Sequence, residues 1–218
     1  MITTTYIQFF KELEQNNTKE WFHKHKKRYE NEVKQPFLDL LTSILPAIKM
    51  LEPEILMNAK DALFRINRDI RFAKDKTPYN TMMKAGFSAG GRKSELPSYY
   101  LGISADMIHV GGGVFNVKGN TLKKIRRLIS EETEAFCKIV ESDTFKNHFG
   151  TLKGEQAKRL DKASQATLER TPYITNKQFY AMPTLPLASY LNTSDLQNVI
   201  VEYFKAIQPL NVFLKRAF

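Results

Sequence analysis

Cysteine is almost missing from this chain. Cys137 is the single one among 218 residues, so no internal disulfide can form and a reducing cytoplasm is the compatible setting. Its place in the helical pattern EAFCKIV makes it a buried, inert thiol. Histidine is scarce as well, with His23, His25, His109 and His148 the whole supply. His23 and His25 point apart on a helix, and with no cysteine cluster to join them neither a metal site nor a cofactor is expected. No apolar run approaches the ~20 residues that cross a bilayer, so no membrane span is expected. The stretch MITTTYIQFFKELEQNN has neither a basic leader with a long apolar run nor a small-residue cleavage site, so a secretory signal is not expected either. The serines sit in no G-x-S-x-G elbow, and the GGG at 111–113 lacks the lysine and hydroxyl of a phosphate-binding loop. That glycine run is expected to serve a bulge or a tight approach between strands. Acid is in deficit: 23 Asp and Glu stand against 33 Lys and Arg, a net charge of +10. Such a balance favours anionic partners, whether nucleic acid, a phosphate-bearing small molecule or an anionic membrane surface.

What the chain does have is clear periodicity. Ile7, Phe10 and Leu13 recur at helical spacing, Asn17 or Thr18 offers a cap, and a second helix reaches to about Val33. In EWFHKHKKRYE, Trp21, His25 and Tyr29 repeat every four residues as a packing stripe, which outweighs a reading of that basic, aromatic segment as a stacking surface for single-stranded nucleic acid. PFLDLLTSILPAIKML continues helically; Pro36 suits a first helical turn and Pro46 is less comfortable inside one, which leaves one helix or two shorter pieces open. From Asp61 the period falls to two. Phe64, Ile66, Ile70 and Phe72 share one face of an expected strand, with Arg68 interrupting it, and KDKTPYN follows as a turn. Further strands are expected at MMKAGFSAG, SYYLGIS and MIHVGGG, the last two joined by a turn at Ala105 and Asp106. Leu122, Ile125, Ile129, Phe136 and Val140 then line one helix opening near Asn120. TLKGEQAKRL and NKQFYAMPTL are expected edge strands around a polar linker, residues 161–177, the segment best suited to move. A final helix carries Leu196, Ile200, Phe204 and Ile207 ahead of Pro209. The whole, residues 1–218, reads as one α+β domain: a largely antiparallel central sheet with N-terminal, middle and C-terminal helices packed on it.

The chemistry concentrates in LFRINRDIRFAKDKTPYNT, residues 63–81. On a strand Arg65, Asp69 and Arg71 would share a face, with Asp69 and Arg71 ~7 Å apart at the backbone. Arginine's planar fork binds phosphate or carboxylate bidentately, and an aspartate beside it orients the fork or accepts a proton. The same pattern serves equally as a salt-bridge ladder that fixes the fold. Arg68, set on the apolar side, requires a partner, for which Asp61, Asp75 or Glu20 would serve. Lys74, Asp75, Lys76 and Tyr79 extend the charged stretch into the turn, where ligands are often met. The candidate ligand-binding residues are therefore Arg65, Arg68, Asp69, Arg71, Lys74, Asp75, Lys76 and Tyr79.

Four blocks in order, NNTKEWFHKHKKRYENEVKQPF, RINRDIRFAKDKTPYNT, HVGGGVF followed by LKKIRRLI, and FGTLKGEQAKR, resemble the bacterial family catalogued as domain of unknown function 2461. The resemblance runs over most of the chain and implies its boundaries, not a chemistry. The chain departs from that pattern at Ala73, where the family usually has serine, at Asn80, where it usually has lysine, and at LDKASQ, which lacks the family's turn. The leading expectation is binding of an anionic ligand, a phosphate-bearing metabolite or nucleic acid, in a basic cleft. The alternatives are an interaction module whose charges are structural, and a metal-independent enzyme acting on a phosphorylated substrate at the same cleft.

Overall fold

A computed structural model describes residues 1–218 except Ser194, with the side chains of all of these but Lys162 and Ala163. Five strands form an antiparallel sheet: β1 (Met82–Phe87), β2 (Ser98–Ser104), β3 (Met107–Val114), β4 (Phe179–Ala181) and β5 (Thr184–Pro186). Their order is β1-β2-β3-β4, with β5 also paired to β3. The three expected central strands are present, and the turn between β2 and β3 falls at Ala105 and Asp106. Alternation decides which face is which. Met83, Ala85, Tyr99, Leu101, Ile103 and Ile108 are buried, whereas Lys84, Tyr100, Ser104 and His109 between them are half-buried on the other side.

Among the described residues, the first and last helices pack on the first face. Helix α1 (Thr4–Gln15) buries Tyr6, Phe9, Phe10 and Leu13, and the Tyr6 hydroxyl donates to the Ile103 carbonyl at 2.8 Å. Thr18 caps α2 (Lys19–Lys24), its hydroxyl accepting from the Trp21 N–H at 3.2 Å. Trp21 and His25 stack at 4.1 Å and Tyr29 is buried, as the four-residue stripe requires. A π-helical turn, Tyr29–Lys34, leads into α3 (Gln35–Leu51) with Pro36 in its first turn. Of the two readings left open at Pro46, the unbroken helix is the one that forms. Pro46 sits on the exposed side of α3, where the carbonyl it frees meets solvent. A short turn of helix, α4 (Ala59–Ala62), precedes the charged segment.

Between residues 120 and 140 the structure divides the expected single helix at Glu132 into α5 (Gly119–Glu131) and α6 (Thr133–Val140). Helix α7 (Asp143–Phe149) follows, capped by Ser142. Cys137 is buried in α6, and burial pushes its thiol pKa up. Of the two expected edge segments, the second supplies β4 and β5, while the first makes only isolated bridges, Lys153 with Tyr180 and Gln156 with Asn176. Residues 161–177 are not a bare linker: they form α8 (Lys162–Leu168) and a 3-10 turn, Pro172–Thr175, burying Thr167, Thr171 and Ile174. Helix α9 (Asp195–Lys215) runs on through Pro209 and closes the core, with Phe204 packed edge-on against Tyr99 at 5.2 Å.

The largest departure from expectation is the strand at 61–72. It does not form. Leu63 bridges Ala85 of β1 and Asn67 bridges Tyr79, and between them the chain makes an open lariat. Its neck is held by the Arg68 N–H on the Pro78 carbonyl at 2.8 Å and the Asn80 N–H on the Ile66 carbonyl at 2.8 Å. The shared apolar face fails with it, for Ile66 is buried while Phe72 is 96% exposed. Side chains add to these bonds: the Asn80 amide also donates to the Ile66 carbonyl at 2.8 Å, and Lys76 reaches the Ile70 carbonyl at 2.9 Å.

Asn17 anchors this lariat from across the molecule. Its amide donates to the Tyr79 carbonyl at 3.0 Å and its oxygen accepts the Tyr79 N–H at 3.1 Å. The Tyr79 ring, 5% exposed, stacks on Phe22 at 4.0 Å. Asn17→Ala would strip both partners from a covered backbone, and is expected to cost about 2–3 kcal/mol. Urea unfolding of the variant checks this; a midpoint equal to wild type would show that water replaces the side chain at no loss.

Candidate functional site

The uncovered side of the sheet carries a cavity of about 610 Å³ between β1, the lariat and the loop joining β1 to β2. Arg65, Arg68 and Asp69 come from the lariat, Lys84 from β1, and Arg92 and Lys93 from the loop. Five cations thus face one carboxylate, and that carboxylate is already engaged. Arg71 grips Asp69 with two N–H groups, at 3.0 and 2.7 Å, and holds its pKa down at about 2.

Lys84 is the residue this wall is built around. Its position in β1, between Met83 and Ala85 that point to the core, aims it away from the helices. The half-buried ammonium donates to the Asn80 side-chain oxygen at 3.0 Å and makes no ion pair among the described residues. Burial pushes its pKa down, and the neighbouring Arg68 adds to the effect. Opposite it across β2 stands Gly102, and beyond that His109; the place a Gly102 side chain would take is filled by the ends of the Tyr100 and Met82 side chains. Burial, then Lys153 and Lys84, push the His109 pKa down. Its Nδ1 lies 3.3 Å from the Thr184 hydroxyl.

The remaining sequence candidates have other work. Arg68 links to the Asp75 carboxylate at 2.6 Å, to the Thr77 carbonyl at 3.1 Å and to the Thr77 hydroxyl. Asp75 is therefore the partner Arg68 required, and the Thr77 N–H with Arg68 keeps its pKa down at about 2. Lys76 closes the lariat tip on backbone carbonyls, Tyr79 is in the core, and Lys74 is exposed. Arg71, Lys74, Asp75, Lys76 and Tyr79 do not line the cavity, whereas Arg65, Arg68 and Asp69 do. Sequence reasoning missed Asn80, Lys84, Arg92 and Lys93. A lone lysine inside an apolar strand pattern, and an Arg-Lys pair in the glycine turn AGGRKSE, were the available signals.

A second cavity of about 290 Å³ adjoins the first, and Phe64, Arg92 and Lys93 line both. Its character differs: Leu96, Tyr100, Phe115 and Met182 give it apolar and aromatic walls, and burial pushes the Tyr100 pKa up to about 12. Among the described residues no group of three or more His, Cys, Asp or Glu side chains is placed to hold a metal ion, and no described helix is long and apolar enough to cross a membrane.

A family model described as a conserved hypothetical protein, DUF2461, matches residues 5–213. No curated protein and no solved structure matches the chain.

Proposed function

The chain belongs to the DUF2461 family, and for this member we propose that the basic cavity binds a phosphate-bearing anion. One observation carries the reading: the ammonium of Lys84 is half-buried, has an amide oxygen for company and no carboxylate, and lies among four further cations. Leaving a desolvated charge without a counter-charge opposes folding. A bound phosphate would supply that counter-charge, and arginine forks such as Arg65 and Arg68 match its oxygens in geometry. The rival reading, charges that hold the fold, is favoured at the lariat tip, where Asp75, Thr77 and Lys76 tie the chain to itself. The two readings therefore divide the segment between them. A reducing cytoplasm suits the lone, buried Cys137.

Titration calorimetry with inorganic pyrophosphate tests the reading. Saturable binding that weakens with added salt yet persists at physiological ionic strength is expected. No binding, or the same response to every polyanion, would defeat it. The pH dependence has a definite sign. Lys84 must be charged to hold the anion, and its pKa is lowered by burial, so affinity falls as pH rises through a value below the usual lysine figure of about 10.4. The bound anion favours the charged amine, so binding takes up protons in that window. Heats measured in buffers of different ionisation enthalpy would show the uptake, and none at any alkaline pH would exclude Lys84 from the contact.

A further inference from the structure

The two cavities differ in chemistry and share a wall, and we infer that together they take a nucleotide, its phosphates in the basic cavity and its base in the aromatic slot. This rests on the anion-binding reading and goes beyond it by naming the ligand class. Phe64 lies at the junction. Its ring packs over β1 where Gly86 has no side chain; a Cβ there would stand 3.2 Å from Phe64 Cε2. Arg92 and Lys93 reach both spaces, which suits the link between a base and its charged tail.

Within the slot, Phe115 stands 6.0 Å from Tyr100 and 4.7 Å from Tyr180, ring centre to ring centre. Aromatic faces receive any base by stacking, and serve single-stranded nucleic acid in the same way. Ser94, Ser98 and Asn116 add hydroxyl and amide groups to the lining beside Arg92 and Lys93, the kind of group that reads the edge of a base. The complementarity is thus double: a flat ring for the slot, and negative charge for Lys84, Arg65 and Arg68. A simple inorganic anion would leave the slot empty, and an apolar ligand would leave the cations unmatched. The base and its phosphate come either from a free nucleotide or from the end of a single strand, and these two sources share the recognition chemistry.

The test compares inorganic pyrophosphate with ADP, GDP and CDP, and with a short oligodeoxythymidine bearing a 5′-phosphate, by calorimetry on the full chain. At least one nucleoside diphosphate is expected to bind about tenfold or more tighter than pyrophosphate, the size of one base-stacking contact. Phe115→Leu, which keeps apolar bulk and removes the ring face, is expected to erase that advantage and leave pyrophosphate affinity unchanged. Phe115→Tyr is expected to restore it, with thermal unfolding confirming that both variants fold. Preference for the oligonucleotide over every diphosphate, lost in the same way with Phe115→Leu, would assign the slot to a strand end and support the inference. If pyrophosphate binds as tightly as all of them and Phe115→Leu moves nothing, the inference falls while anion binding stands. If pyrophosphate itself does not bind, both fall.

Discussion

Gly113→Ala is expected to remove a large part of the protein's stability. At this position in β3 the backbone has φ of +119°, a conformation that side-chain-bearing residues rarely adopt. Strain of that kind costs of order 1–3 kcal/mol alone. A Cβ would also stand 2.2 Å from the Phe179 carbonyl oxygen and 2.6 Å from the Tyr180 Cα. Those are backbone atoms of β4, held in register against β3 through Gly112 with Ala181 and Val114 with Phe179, so no rotamer change relieves the collision. Phe179 is fully buried, and moving β4 outward would open the core beneath it. The sum is expected to exceed about 4 kcal/mol, a large part of the margin of a typical domain. Gly119→Ala is the control, because nothing lies within 4 Å of its Cβ position at the start of α5. Soluble yield and urea unfolding compare the two. A folded Gly113→Ala protein with the wild-type midpoint would mean that β4 is free to shift.

Lys84→Met is expected to give the opposite signature, function lost with stability kept. Truncating one member of a desolvated charged contact weakens binding by about 2–5 kcal/mol, so pyrophosphate affinity is expected to fall at least about thirtyfold. The folded protein would lose one hydrogen bond, to the Asn80 side-chain oxygen, and with it a charge that burial disfavours. Lys84 has no ion pair among the described residues and its charge is disfavoured by burial and by Arg68, and methionine fills a similar volume without a charge. The unfolding midpoint is therefore expected to stay level or rise slightly. A fall in stability with unchanged affinity would make Lys84 part of the scaffold and move the site elsewhere.

Where the pattern of side chains decides the structure locally, the sequence was readable. SYYLGIS alternates cleanly and forms β2 over those seven residues, and the apolar stripe of the last helix forms α9. Charge partners within a short loop were also within reach, as Arg68 and Asp75 show. The lariat was not, because alternation in Phe64, Ile66, Ile70 and Phe72 is a strand only if another strand is there to pair with it. Each end found a single bridge instead, and Phe72 was left in solvent. Asn17 could not be seen to hold Tyr79, since the contact spans 62 positions and mimics a strand with a side chain. The candidate site suffered the same limit: its cations come from the lariat, a strand and a loop, three stretches that nothing local brings together. Lys84, the least conspicuous, sits among apolar neighbours that are read for packing.

Gly86 and Gly102, which leave room for Phe64 over the first and for Tyr100 and Met82 over the second, belong to a face of the sheet with a consequence for how such a protein can change. One face of the sheet is crowded and sets stability; on the anion-binding reading the other leaves the choice of ligand to a rim of Arg65, Arg92, Lys93 and Phe115. Rim residues lie on loops, which accept substitution readily, and exchanging them leaves the packing of Tyr99, Leu101 and Ile103 untouched. Chains of this architecture can therefore diverge in what they hold while keeping how they fold, because the two properties are encoded on opposite sides of the same strands.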